Sequence, residues 1–258
     1  MNLTTITDLN IPLLQIYRHL RDNVVTKDNS FIADSPKVVN LLLETSIEVR
    51  SILATKKYFE ENRKLIEQKE IPNLYVADKN LMKTIVGHNV HHGVMMHGIR
   101  PCETPLKEMG DKIVLLDALS KNDNVGAIAR SCAALGVDSF VVAQKAPHPY
   151  GRRALRVSMG YVSKLKIHTY DDIFFTIKIL KADGYKVFAA EAIKKATPLK
   201  SVKIPKKWVL LLGHEDNGLS KEILDASDEI VKIEMSADVK SFNVGIAASI
   251  LLYQFGIK

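Results

Sequence analysis

The chain has 258 residues, 47% of them hydrophobic and 25% charged, which is enough apolar material for a sizeable core in one large domain or two ordinary ones. Lys and Arg (36) outnumber Asp and Glu (29) by seven, a balance that favours a polyanionic partner. The two cysteines, Cys102 and Cys132, stand far apart with no paired spacing and no histidine cluster beside them, which argues against a disulfide framework and a zinc site and for a reducing cytoplasm.

In chain order, Met1 to Leu20 lacks a basic start followed by an apolar core, and no later run approaches the roughly 18 apolar residues of a membrane span. Neither export nor anchoring is expected. Residues 13–22, LLQIYRHLRD, have apolar residues at helical spacing and predict a short amphipathic helix in an N-terminal extension over 1–28. A small α/β module is expected over 29–100. FIADSPKVVNLLLET predicts a strand and then a helix with Ser35 as N-cap and Pro36 as its first residue. SIEVRSILAT predicts a strand, KKYFEENRKLIEQKE a charged helix, and NLYVAD and HHGVMMHGI two further strands. Residues 101–111, PCETPLKEMGD, read as a linker. From Lys112 to Lys258 the strand-like runs KIVLLDAL, SFVVAQ, KLKIHTY, YKVFAAE, WVLLLG and EIVKIEM are separated mostly by helical stretches. That alternation signals a largely parallel sheet covered by helices.

Three segments of this second domain carry chemistry. In DNVGAIARSCAALG, Asp123 or Asn124 is placed to cap a helix, with Val125, Ile128, Cys132 and Leu135 on one face and Gly136 at its end. Arg130 falls on the other face, where an arginine alone reads as a solvated residue. The strand WVLLL runs into Gly213-His214-Glu215-Asp216-Asn217-Gly218-Leu219-Ser220. Its glycines permit a tight turn with close backbone approach to a ligand, and Ser220 is placed to cap the helix KEIL. No Gly-Lys-Ser or Gly-Lys-Thr follows, so this is not a Walker phosphate loop. The third segment runs from Ile233 through Met235, Val239, Ser241, Phe242, Asn243 and Val244 into a helix apolar on all sides, which must be buried in the domain or in a subunit interface. Ser241 and Asn243 alone read as a capping pair. Turns at strand ends are where open α/β sheets bind small ligands.

Taken together, Asn124-x-Gly126-x-x-x-Arg130, the Gly-x-Glu-x-x-Gly-x-Ser of 213–220 and the run from Ile233 to Val244 resemble the three motifs of the TrmH-like (SpoU) RNA ribose methyltransferases of the SPOUT superfamily. The third departs from the family pattern at Glu234, Ala237 and Phe242, and a glycine at 237 would allow a backbone conformation that alanine resists. Upstream, YRHLRDN, FIADSPKVV, VGHNVHHGV and GIRP resemble members carrying an L30e-like RNA-binding module, with Asp34 and His92 in place of the expected Glu and Arg. The resemblance implies an α/β protein with a C-terminal SPOUT trefoil-knot methyltransferase domain and a smaller N-terminal L30e-like domain.

It further implies S-adenosyl-L-methionine as cofactor, held through the main chain by Gly213, Ile233, Met235 and Phe242, and structured rRNA or tRNA as partner. Arg130 would reach the ribose 2′-hydroxyl, Glu215 would orient it, and Asn124, Ser241 and Asn243 would hold substrate or cofactor. Arg152, Arg153 and Arg156, in PYGRRALRVSMG, would contact RNA, where arginines suit phosphates and stacking on unpaired bases. A homodimer with shared active sites is expected, and no metal. His88, His91, His92 and His97 have no Cys or carboxylate at ligand spacing and read as strand-face or RNA-contacting residues. A catalytically silent RNA-binding homologue stays open as an alternative. A dinucleotide-dependent dehydrogenase does not fit, because no Gly-x-Gly-x-x-Gly follows the first strand of the second domain.

Overall fold

The computed structural model describes residues 1–6, 11–19, 28–87, 90 and 92–256. The first part of the chain forms β1 (Thr4–Thr5), α1 (Gln15–His19), β2 (Ser30–Asp34), α2 (Pro36–Leu43), β3 (Glu48–Ala54), α3 (Lys56–Glu61), α4 (Arg63–Glu67), β4 (Asn73–Val76), α5 (Lys79–Val86) and β5 (Val94–Ile99). Then follow β6 (Lys112–Leu116), α6 (Asn122–Ala134), β7 (Ser139–Ala143), α7 (Arg152–Val157), β8 (Lys166–Tyr170), α8 (Ile173–Ala182), β9 (Lys186–Ala190), β10 (Thr197–Pro198), β11 (Trp208–Leu212), α9 (Lys221–Ala226), β12 (Glu229–Lys232) and α10 (Val244–Gly256). No helix among the described residues is long and apolar enough to cross a membrane.

The chain divides into two compact units, Met1–Cys102 with Pro149–Ser163, and Glu103–His148 with Lys164–Lys258. The first unit holds a mixed sheet in the order β1-β4-β3-β5-β2. Apolar side chains of its strands, such as Ile32, Leu53 and Met95, pack against Leu14, Tyr17, Met82 and Ile85. Where the sequence suggests one charged helix over 56–70, the structure breaks it at Asn62. The Asn62 side chain donates to Tyr58 O at 2.9 Å and accepts from Asn40 at 2.7 Å, which competes with continuation of the helix. Ser35 does precede α2, but it makes no side-chain cap and has φ 80°, a left-handed backbone that favours glycine.

Residues 149–163, assigned by sequence to the second domain, pack with the first unit. Tyr150 meets Phe31 edge-on at 5.2 Å, Gly160 lies against Val38 and Leu41 of α2, and Arg156 donates to Asp34 at 3.1 Å. The short run is too weakly apolar to show in its own sequence which core it completes. The expected linker divides too. Residues from Glu103 onward run beside β8, with Thr104 N donating to Ile167 O at 2.8 Å and the Glu103 carboxylate accepting from Thr169 N at 2.9 Å.

In the second unit all paired strands are parallel, in the order β10-β12-β9-β11-β6-β7-β8. One face buries Ile113, Val141, Val187 and Leu211 against Ile177, Leu180 and Ile223 of α8 and α9. The other receives α10, where Phe255 meets Phe188 at 5.1 Å and Trp208 at 5.2 Å between ring centres. Cover on both faces explains why WVLLL and KIVLL are continuous apolar runs without alternation.

Candidate active site

β11 ends at Leu212 and the chain doubles back, with Gly218 N donating to His214 O at 2.9 Å. A Cβ on Gly213 would stand 2.5 Å from the carbonyl carbon of Gly218, and one on Gly218 would stand 2.4 Å from Glu191 Oε2. Gly218 also has φ 65°. Gly213 is therefore required by close packing of the turn's two limbs, and Gly218 by its left-handed backbone. At the exit, Ser220 caps α9 by accepting from Ile223 N at 3.3 Å, as its position in sequence predicts.

Glu215 reaches out of this turn to the start of α6. Its Oε2 accepts from Ser120 N at 3.0 Å and Ser120 Oγ at 3.1 Å, and its Oε1 from Lys121 N at 3.0 Å and Asn124 Nδ2 at 2.8 Å. Neither Asp123 nor Asn124 is the N-cap. The helix begins at Asn122, its N-cap Lys121 makes no side-chain bond, and the carboxylate satisfying these amides comes from another element. Asn124 Oδ1 in turn accepts from Asn243 Nδ2 at 3.1 Å, and Asn243 Oδ1 accepts from Gly245 N at 2.9 Å, capping α10. Three side chains, one per motif, thus fasten the turn, α6 and α10 together. Partial burial pushes the Glu215 carboxyl up, but the donors at Ser120, Asn124 and Lys121 outweigh it and hold the group at about 2.

At the C-terminal ends of β9, β11 and β12 lies a cavity of about 270 Å³. Gly213, Ile233, Met235 and Phe242 line it, as do Glu215 and Ser241. Asn124 and Asn243 adjoin it through the relay. Arg130 does not join them: it lies exposed on α6, nearly two turns beyond Asn124, while the Glu215 carboxylate bonds Ser120, Lys121 and Asn124. Arg152 and Arg156 belong to the first unit, where both approach the Asp34 carboxylate, at 3.9 and 3.1 Å, while Arg153 is exposed. His88 and His91 lie outside the described residues, and His97 bonds Ser30 Oγ at 2.9 Å.

Sequence reasoning missed three groups at this edge of the sheet. Glu191 lines the cavity, and its signal was an acidic residue directly after the apolar strand KVFAA. His214 also lines it, with Nδ1 accepting from Asp216 N at 3.1 Å. Asp117, at the end of β6, accepts from the Tyr170 hydroxyl at 3.3 Å, and burial pushes its carboxyl up against the pull of Tyr170 and His214. The departures in the third motif are accommodated. Ala237 has no left-handed backbone, and Glu234 turns to Lys200 at 2.9 Å.

Residues 111–253, more than half of the chain, match the model of the SpoU rRNA Methylase family. The chain belongs to that family. It is an RNA methyltransferase of the SpoU/TrmH group, as the motif resemblance implied. A relative of this SpoU protein, an uncharacterized tRNA/rRNA methyltransferase of Mycobacterium bovis, is 26% identical over 266 residues, covering 98% of this chain and 92% of its own. The fold is similar to that of an AdoMet-bound rRNA methyltransferase from Sinorhizobium meliloti, with TM-score 0.82, 22% identity and coverage of 98% and 97%. It is also similar to an RNA 2′-O ribose methyltransferase, with TM-score 0.79, 21% identity and coverage of 98% and 97%.

Proposed function

We propose that this protein transfers a methyl group from S-adenosyl-L-methionine to a ribose 2′-hydroxyl of tRNA or rRNA in the cytoplasm, acting as a homodimer. The observation that carries the reading is the cavity at the strand ends, walled by motif residues whose turn is fastened to α6 and α10 by Glu215, Asn124 and Asn243. The residues present fit the cofactor. Close-packed glycines expose main-chain groups for a polar nucleoside edge, Ile233, Met235 and Phe242 offer apolar surface to a flat ring, and the ionised Glu215 favours a cation. The solved S. meliloti relative binds the same molecule, and the other named structure is of a ribose 2′-O enzyme.

When bound, the cofactor supplies an electrophilic methyl group on a sulfonium. The protein's own tasks are to align the hydroxyl oxygen and to stabilise the charge it develops. Arg130 is assigned the hydroxyl and its adjacent phosphate. A guanidinium barely deprotonates near neutrality, so it acts by charge, with the proton passing to phosphate or water. Within its own chain Glu215 makes four bonds that anchor the α6 start, and it is assigned the orientation of Arg130 at the shared site. Ser241 has its place at the cavity wall beside the substrate or cofactor. The exposed Arg130 completes a site of the second subunit. Supporting this, Ile246 and Tyr253 on α10 are 54% and 66% exposed, an apolar strip suited to self-association. Arg152, Arg153 and Arg156 are assigned to RNA, with Asp34 setting the pose of Arg156.

The test is transfer of labelled methyl to RNA from cells lacking the protein, followed by digestion to nucleosides. Label in a 2′-O-methylnucleoside is expected. Label confined to a base would refute the ribose assignment, and no transfer by a dimer that binds the cofactor would move the reading to the silent RNA-binding homologue.

A further inference from the structure

We propose that Glu191 is a positioning residue for cofactor binding, fastening the exit of the Gly213–Gly218 turn as Glu215 fastens its middle. The backbone around Glu191 is held on both sides, with Glu191 N donating to Val231 O and Ile193 N donating to Glu191 O, each at 3.0 Å. Its side chain turns toward β11. There Oε2 accepts from Leu219 N at 3.0 Å, while Oε1 accepts from Ala192 N at 3.2 Å. The same Oε2 stands 2.4 Å from the place a Cβ on Gly218 would take, so the carboxylate occupies the space that glycine leaves. Glu191 also lines the cavity, which puts this fastening at the wall where a ligand sits.

A turn that binds through its main chain must hold its amides and carbonyls in one arrangement before the ligand arrives. Any turn that wanders makes the ligand restore that arrangement, and the cost appears as lost affinity. Glu191 restricts the wandering with a charge-assisted bond at Leu219, beyond the reach of Glu215, whose bonds go to residues 120, 121 and 124. The inference rests on the methyltransferase reading, since it takes the cavity as the cofactor's.

Calorimetry with S-adenosylhomocysteine on the full-length Glu191→Ala, Glu191→Gln, Gly218→Ala and Glu191→Ala/Gly218→Ala proteins tests it, with melting temperatures and steady-state kinetics beside it. Glu191→Ala should weaken binding about tenfold, the size of one lost hydrogen bond to a charged group. Its KM for the methyl donor should rise more than its kcat falls. Glu191→Gln keeps one acceptor oxygen and should recover part of the affinity. Gly218→Ala carries the same left-handed strain in either background, so that strain cancels in the cycle, and its cost should be smaller once the carboxylate is gone. Wild-type affinity in Glu191→Ala, an additive cycle, or equal losses in the Ala and Gln variants that track their melting temperatures would each overturn the role. Wild-type protein that binds no S-adenosylhomocysteine would overturn the methyltransferase reading and this inference with it.

Discussion

Glu215 spends its carboxylate on four donors, and that number sets a pH dependence. Held at about 2 in the folded protein against an ordinary value of 4.5, it contributes stability that is fully present above pH 4.5 and is lost as the pH falls toward 2. The melting temperature of Glu215→Gln should therefore lie below wild type at neutral pH and converge on it through that window. A constant gap from pH 6 to about 2.5 would show that the lost bonds, and not the charge, matter. Arg130 makes the opposite case, being exposed and uncommitted to the turn of its own chain. Arg130→Ala should cut methyl transfer about a hundredfold, as expected when a preorganised charge at a developing oxyanion is removed, with cofactor affinity measured by calorimetry unchanged. A matching loss of cofactor affinity would place Arg130 in the cavity wall instead.

At the scale of the element, the turn between β11 and α9 is close-packed, with backbone lying on backbone. Gly213→Ala would push a methyl group to 2.5 Å from the carbonyl carbon of Gly218, which no side-chain rotation relieves. We expect a loss of cofactor binding of tenfold or more, about 1–3 kcal/mol for overpacking, read by calorimetry, while the parallel sheet keeps its circular dichroism. The glycines, Ser220 and the strands on either side were legible in the sequence because continuous apolar runs and caps are local signals. The helix Lys79–Val86 was passed over although it carries such signals, with Asp78 accepting from Leu81 N at 2.8 Å and Gly87 ending it at φ 81°. β1 was illegible for a different reason. Two residues are too few to show a period, and Thr4 and Thr5 become a strand only by pairing with Tyr75 and Val76. The anchoring of the α6 start by Glu215 was likewise hidden, since no local pattern links residues 94 or 95 apart in the chain.

At the scale of the whole molecule, a shared site makes a prediction about mixtures. Arg130→Ala and Asn243→Ala homodimers should each be inactive, yet subunit exchange between them should restore part of the activity, because a mixed dimer has one site with neither change. Verified mixed dimers that stay inactive would return Arg130 to its own chain. The division into units makes a second. A fragment of residues 103–258 would bare Tyr150, Ala154 and Leu155, which are buried in the intact first unit. Limited proteolysis should cut this fragment within 149–163 and spare that stretch in the full-length protein; equal resistance would show that the segment needs no partner from residues 1–102. The split also sets an order in time. A chain leaves the ribosome from its N-terminus, and domains generally fold as they emerge. Here the first unit lacks Pro149–Ser163 until β6, α6 and β7 have already been made, so its completion waits on about a third of a second unit that is itself unfinished. The two halves of this protein must mature interleaved, each passing through a stage in which it borrows time from the other.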